Sequence, residues 1–483
     1  MAIAKIFVAN RGEIAVRIVR AAQELGIGTV QAVSAADETM LAARLADETA
    51  KVGPAHASKS YLNSDALIAA ALETGCDAVH PGYGFLSENA AFAEKVDAAG
   101  LIFIGPKPET ITRMGDKAKA RREAQLAGVP TVPGSDGIVT DVAAAQAAAE
   151  AVGYPVMIKA AAGGGGRGIR IADDAAQLAT LIPQASAEAK AAFGDGGLYL
   201  ERFVRRARHV EVQILGDGTR AIHLYERECS LQRRRQKVWE EAPAACLSPE
   251  QREALCASAV KLAERVAYRG AGTLEYLFDE ATGEFFFIEM NTRIQVEHPV
   301  TEMVTGVDLV AWMIRIAGGE RLSLTQADVT LRGHAVEARI NAEDPAADFR
   351  PHPGTVSGLA VPGGMGVRFD TMLYPGYQVP PFYDSLLGKL IAHAETREAA
   401  IARLARALGE LTVEGLPTTA ALHLALTRNG DVRRGAFHTG WLEEWLKGHP
   451  LAGDRAEPGQ ARPSQIDTGQ TDAGQTEAGK EGR

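Results

Sequence analysis

The sequence predicts an α/β protein: a doubly wound parallel sheet at the N-terminus, followed by α+β segments built on antiparallel strands. Three observations predict it. Across about the first hundred residues, strand-like and helix-like runs alternate through short glycine-containing links, the pattern of a parallel sheet covered by helices. Farther on, the strand-like runs at 155–159 and 168–171 are joined by a glycine-rich stretch, so they pair as neighbours and not through a crossover helix. Finally, Gly283 to Pro299 (GEFFFIEMNTRIQVEHP) opens with an apolar run and continues with a polar residue at every second position, which is strand periodicity.

In order along the chain, Lys5 to Ala9 reads as a strand, Gly12 to Leu25 as a helix ended by Gly26 and Gly28, and Thr29 to Val33 as the next strand. A helix around Asp65 to Glu73, a strand at Ala78 to His80, a helix from Ser87 to Ala98 and a strand at Leu101 to Ile104 complete the alternation. The loops after two of these strands, Ala9 to Gly12 and His80 to Phe85, form the expected ligand rim. The first strand is followed by no GxGxxG, so a dinucleotide-binding fingerprint is missing. A helix from Gly115 to Gly128 leads into a compact α+β segment, with the strand Leu198 to Glu201 near its end. Strands at Val210 to Ile214 and Ala221 to Leu224 and helices from Pro249 and Val307 follow. Short strands among Pro/Gly turns come next, and helices at Ala399 to Gly409 and Thr418 to Thr427 close the ordered chain.

A chain of 483 residues exceeds a single core. The expected division is 1–114, 115–333 with a lid over 133–204, 334–447, and a tail over 448–483. From Ala452 to Arg483 the tail has no aromatic residue and one isoleucine, too little apolar surface to order it. A net charge of −10 argues against wholesale binding to nucleic acid or an anionic membrane. The clusters Arg205, Arg206, Arg208 and Arg233 to Arg235 are therefore local and suit a small anionic ligand. Four scattered cysteines without CxxC spacing fit a reduced compartment, and cytoplasmic location is expected. The N-terminus enters a strand at Lys5, so no signal or transit segment is expected.

The chemistry gathers in 283–299. A hairpin closing about Thr282 places Glu275, on the strand Gly272 to Phe278, opposite Glu289. Two carboxylates about 5 Å apart repel by roughly 3 kcal/mol at an effective dielectric near 20, so a cation between them is expected. With Asn291 adjacent and no His/Cys cluster, a hard oxygen-loving ion such as Mg²⁺ suits the set, although a solvated hairpin face also accounts for a lone Glu pair. Gly163, Gly164, Gly165 and Gly166 offer bare amides able to close over an anion. The next element is a strand and no Gly-Lys-Ser/Thr follows, so the run is no Walker loop; a phosphate-covering flap and a flexible linker both remain open. Lys159 and Lys117 supply ammonium groups to the same region.

These motifs together resemble the ATP-grasp superfamily, and within it the biotin carboxylase subunits of biotin-dependent acyl-CoA carboxylases such as acetyl-CoA carboxylase. The resemblance runs from Lys5 to about Trp445. Its most specific stretches are ANRGEIAVRI at 9–18, HPGYGFLSEN at 80–89, MGDK at 114–117, GGGGRGI at 163–169, RHVEVQ at 208–213, QKVWEEAPA at 236–244, FIEMNTRIQVEHPVTEM at 287–303 and RGHAVEARINAEDP at 332–345. It implies an ATP-grasp fold between a Rossmann-like N-terminal domain and a biotin carboxylase C-terminal domain. It also implies ATP held by Lys117, Lys159, the glycine flap, Glu201, Arg202, Val204, His209 and Gln232, with Glu275, Glu289 and Asn291 on Mg²⁺ or Mn²⁺. Arg293, Gln295, the Val296 amide and Lys237 would hold bicarbonate. Glu297 would be its base, Arg339 would face the biotin ureido oxygen, and Tyr83 would border the biotin ring.

Three positions depart from the family pattern. Arg235 stands where the family usually has His or Asn, Ala162 replaces a frequent glycine, and Trp239 replaces an aliphatic residue. No Ala-Met-Lys-Met motif occurs, so the resemblance implies biotin on a separate carrier protein, a carboxyltransferase on other chains, and a homodimer. The alternatives are another ATP-grasp ligase, which need not share Arg293, Glu297 or Arg339, and a non-catalytic carboxylase-like subunit.

Overall fold

Alternation of apolar side chains on β1 (Lys5–Val8) decides the N-terminal architecture. Ile6 and Val8 pack with Ile14 and Ile18 of the helix α1 (Gly12–Glu24), while Phe7 packs on the other face with Val30, Val79 and Phe103. A strand buried on both faces needs parallel neighbours covered by helices. The structure, a computed structural model, describes residues 3–160, 169–193 and 195–451; Ala162, the glycine run Gly163 to Gly166 and the tail from Ala452 lie outside the described residues. With β2 (Gly28–Ser34), β3 (Glu48–Gly53), β4 (Ala78–His80) and β5 (Ile102–Phe103), the sheet runs β3-β2-β1-β4-β5, parallel throughout.

The strand order reverses at β1, and the loops after β1 and β4 meet there. Asn10 Nδ2 donates to the carbonyls of Pro81 at 2.6 Å and Tyr83 at 2.7 Å. Gly82 between them has φ +62°, and a Cβ on it would come within 2.9 Å of Asn10 Nδ2, so glycine is required by both conformation and space. These loops border a cavity of about 130 Å³ lined by Asn10, Arg11, Glu13, Tyr83, Phe85 and Asp384.

The next segment forms a small antiparallel sheet, β6 (Val156–Ala160), β7 (Arg170–Ala172) and β8 (Leu198–Arg202), ordered β7-β6-β8. Among the described residues its core, including Ala145, Ile158, Leu178 and Leu200, is drawn from residues 139–200.

A larger antiparallel sheet follows: β9 (Ala207–Asp217), β10 (Ala221–Arg233), β11 (Gln236–Ala242), β12 (Arg269–Asp279), β13 (Phe285–Asn291) and β14 (His334–Asn341). Its order is β13-β12-β9-β10-β11-β14, continued by the strands Leu386–Ala394 and Val367–Thr371. The ladder between β11 and β14 makes the sheet continuous across residues 333 and 334. Trp239 is central to this half, packed with Leu231, Ala338 and Leu390 at 1% exposure. Trp239→Ala should therefore lower the unfolding free energy by about 3–5 kcal/mol, measured by urea denaturation.

Glu275 pairs with Glu289 as expected, but through a bulge. Phe278 pairs with Phe285 and Tyr276 with Phe287, and the register then shifts by one before Glu275. Without the shift, Glu275 would face Ile288 and the two carboxylates would lie on opposite faces. The extended run predicted to reach Glu297 ends at Asn291. Thr292 N–H donates to Glu88 Oε1 at 3.0 Å and not to a ladder partner, and the chain turns into the helix His298–Thr305.

Candidate active site

Register sets a row of charges across the large sheet. Glu289 on β13, Glu275 on β12, Glu211 on β9 and Arg227 on β10 are successive cross-strand neighbours. Three carboxylates at sheet spacing need cations, and the chain supplies several. Lys237 Nζ contacts Glu211 at 2.5 Å, Glu275 at 2.9 Å and Glu297 at 2.7 Å. Arg227, wholly buried, donates to Glu211 at 2.7 Å and to Gln213 at 2.7 Å. Lys117 Nζ lies 3.3 Å from Glu289. The cation expected between Glu275 and Glu289 is thus partly matched by the chain's own lysines.

Burial pushes the Glu275 carboxyl up, but Lys237 and His209 outweigh it and hold it well below the usual range. Glu297 shows the same balance: burial raises it, and Lys237 with Arg339 brings it below its ordinary value. Arg339 Nη2 donates to Glu297 Oε2 at 3.0 Å and Nε donates to Glu240 Oε1 at 2.6 Å. Burial lifts Glu240 to about 7 against the pull of Arg339.

The 292–297 turn folds polar groups into one cluster without strand geometry. Arg293 donates to Glu88 Oε2 at 2.9 Å, Gln295 Oε1 at 2.7 Å and Asn291 Oδ1 at 2.9 Å. Gln295 Nε2 donates to Glu275 Oε1 at 3.2 Å. The Val296 N–H makes no hydrogen bond among the described residues, leaving a donor beside Arg293 and Gln295.

Other predicted residues form a second group. Lys159 is paired with Glu201, and Arg121 lies 3.9 Å from the same carboxylate. Arg202 reaches Glu284 at 2.9 Å and Asp279 at 3.4 Å. The amides of Arg202 and Phe203 are used by Pro133 and Pro155, whereas the Val204 N–H has no partner among the described residues. Gln232 pairs across the hairpin with Lys237 and donates to the Cys229 carbonyl at 2.9 Å. Arg235 sits exposed in the turn between β10 and β11 with φ +65°, a conformation that His and Asn adopt more readily than Arg. Tyr83 lines the cavity and donates to Glu13.

His209 Nε2 lies 3.3 Å from Glu275 and 3.6 Å from Glu211. Burial lowers its pKa, but Glu275 carries it up to about 9. A folded value above the ordinary 6.5 stabilises the fold fully below about pH 6.5 and ceases to do so as pH rises through about 9. The melting temperature should fall over that window, and the fall should be shallower in His209→Gln, as calorimetry at stepped pH would show.

The donor set fits a hard divalent ion. Glu275 and Glu289 present carboxylates from paired positions, and oxygen-only donors favour Mg²⁺ or Mn²⁺. Asn291 Nδ2 donates to Glu275 Oε1 at 2.9 Å while its Oδ1 accepts from Arg293, so the two carboxylates carry the fit. Glu211, Arg227, Glu240 and Glu88 have no role in the pattern expected from the sequence. The alternation His209, Glu211, Gln213 between Val210 and Val212 was a usable signal for Glu211, whereas Arg227 and Glu88 enter through long-range contacts that carry no local pattern.

Residues 2–111 match the biotin carboxylase N-terminal domain, 116–325 the ATP binding domain of the carbamoyl-phosphate synthase L chain, and 337–444 the biotin carboxylase C-terminal domain. Biotin carboxylase of Nostoc sp. is 54% identical over 444 residues, covering 92% of this chain and 99% of that protein. The crystal structure of a biotin carboxylase component of pyruvate carboxylase superposes with a TM-score of 0.86 at 48% identity, covering 92% of this chain and 98% of that one. The biotin carboxylase domain dimer of Hydrogenobacter thermophilus 2-oxoglutarate carboxylase, solved with MgADP, ADP and bicarbonate, superposes with a TM-score of 0.81 at 48% identity, again covering 92% and 98%. An ATP-grasp sheet carrying these carboxylates, with matches over nearly all the described residues, makes this chain a member of the biotin carboxylase family.

Proposed function

We propose that this chain carboxylates biotin with bicarbonate at the expense of ATP, the biotin being presented on a separate carrier protein. The observation that carries the reading is the junction at Glu297, whose carboxylate touches Lys237 at 2.7 Å and Arg339 at 3.0 Å beside the Val296 amide, which has no partner among the described residues. Arg293, Gln295 and that amide hold bicarbonate. Glu297, kept ionised by its two cations, takes the bicarbonate proton, and the resulting dianion attacks the terminal phosphorus of ATP, breaking its bond to the bridging oxygen and expelling ADP to leave carboxyphosphate. Lys117, Lys159 and Lys237 neutralise charge on the transferring phosphoryl group. Glu201, Arg202, Val204, His209 and Gln232 border the nucleotide. Glu275 and Glu289, with Asn291 beside them, would hold Mg²⁺ or Mn²⁺, which supplies further neutralisation of phosphate charge. Carboxyphosphate then breaks to CO₂ and phosphate. Phosphate takes the ureido N–H proton while Arg339, permanently charged and planar, stabilises the negative ureido oxygen. Tyr83 walls the ring, and the ureido nitrogen attacks CO₂.

The dimeric Hydrogenobacter relative supports a homodimer. Relatives named for pyruvate and 2-oxoglutarate carboxylases support placing the choice of acceptor, an acyl-CoA in the acetyl-CoA carboxylase reading, on separate carboxyltransferase chains. The matched spans support the division at 114/115 and 333/334. Cysteines that are all unpaired support a cytoplasmic setting, and no described helix is long and apolar enough to cross a membrane. The test is ADP release from ATP and Mg²⁺ with labelled bicarbonate and free biotin. Release that requires bicarbonate, rises with biotin and yields labelled carboxybiotin is expected; equal release without bicarbonate would sink the reading.

A further inference from the structure

Groups from four separate parts of the chain form a buried line between the cavity and the 292–297 turn. Tyr83 Oη donates to Glu13 Oε1. Glu13 Oε2 lies 3.1 Å from Lys389 Nζ, and the side chains of this pair are 1% and 0% exposed. Lys389 Nζ in turn donates to the Val296 carbonyl at 2.8 Å. Glu13 opens α1, and Lys389 lies on the strand Leu386–Ala394 as cross-strand neighbour to both Arg339 and Asp370. A buried ion pair gains little stability over an apolar pair of the same volume, because desolvation offsets the attraction. Its placement here has a consequence that an apolar pair could not reproduce. The Val296 carbonyl belongs to the peptide that joins Val296 to Glu297, so the Lys389 ammonium fixes the plane of that peptide. Through Glu13, the same ammonium is tied to the phenol that walls the cavity.

We infer that Glu13 and Lys389 are positioning residues that hold the Val296–Glu297 peptide and the Tyr83 ring in one fixed relation, so that the bicarbonate and biotin subsites are set together. The inference rests on the function proposed above. Two reactants brought together by one enzyme need a defined separation, and a rigid polar link between their subsites supplies it. Neither residue touches a reacting atom.

The experiment measures KM for bicarbonate and for biotin in wild type, Lys389→Met, Glu13→Gln, Tyr83→Phe and the double variant Tyr83→Phe/Lys389→Met. Lys389→Met should raise both KM values by roughly tenfold, the loss expected when a buried polar link is cut. Glu13→Gln keeps an acceptor for Tyr83 but removes the charge facing Lys389. It should raise the bicarbonate KM in the same direction although Glu13's polar contacts among the described residues are with Tyr83 and Lys389 and not with the turn. The double variant should be no worse in biotin kcat/KM than the poorer single variant. Effects that multiply in the double variant, or a biotin KM within about twofold of wild type in Lys389→Met, would overturn the inference. A defect confined to packing would lower the melting temperature and the active fraction while leaving both KM values in place. Should Lys389→Met fold poorly, Glu13→Gln decides alone: an unmoved bicarbonate KM overturns the inference. Absence of bicarbonate-dependent turnover in wild type would remove the functional reading itself; an active wild type with unmoved variants would remove only this inference.

Discussion

Glu297→Ala should lower bicarbonate-dependent ADP release by roughly 10³-fold, within the span for loss of a general base, while nucleotide affinity changes little. The separation follows from the contacts. Glu297 touches Lys237 and Arg339, whereas the Lys159–Glu201 pair and the Val204 amide belong to a different network. Steady-state turnover and nucleotide titration on the same preparation check both halves. A variant retaining turnover within about tenfold of wild type would show that bicarbonate loses its proton elsewhere.

Lys237→Met should be no more damaging to catalysis than Glu297→Ala and far more damaging to the fold. One ammonium serves Glu211, Glu275 and Glu297, and its side chain is only 13% exposed. Removing it leaves three buried carboxylates to the remaining cations Arg227, His209 and Arg339. Breaking a buried charge cluster from one side costs about 3–5 kcal/mol. Turnover should fall by roughly 10²–10³-fold from lost stabilisation of transferring charge. The stability loss should be smaller at pH 5 than at pH 8, because without Lys237 the carboxylates take up protons more readily in the folded state. Urea midpoints for wild type and variant at both pH values measure this. A loss equal at both would show that Lys237 acts through packing and not through charge.

The sequence made the charged components of this site legible to different degrees. Period-two polarity identified Glu289 and Asn291, and the motif resemblance added Lys237, Arg339 and His209. The pairing of Glu275 with Glu289 was anticipated from hairpin symmetry, yet it holds only because the register slips at the bulge. That slip leaves no mark in a run such as Phe285 to Ile288. Period-two polarity places Arg293, Gln295 and Glu297 on one strand face; they converge instead through a turn whose first amide is held by Glu88 from the N-terminal sheet region. The line Tyr83, Glu13, Lys389 and Val296 could not be read at all, since its members are scattered through the chain.

By itself, the sequence determined the parallel N-terminal sheet and the antiparallel strands after it, and its motif resemblance supplied the residues expected at an ATP-dependent carboxylation site. Each of these follows from local periodicity, glycine placement or a contiguous motif. Only the tertiary structure decided which carboxylates share Lys237, that Arg227 closes the row from β10, that the sheet runs unbroken from β11 into β14, and that a buried ion pair reaches the Val296 peptide. The physical reason is that charge balance in a buried site is set by cross-strand register and by partners far apart in the chain, and neither leaves a local signature.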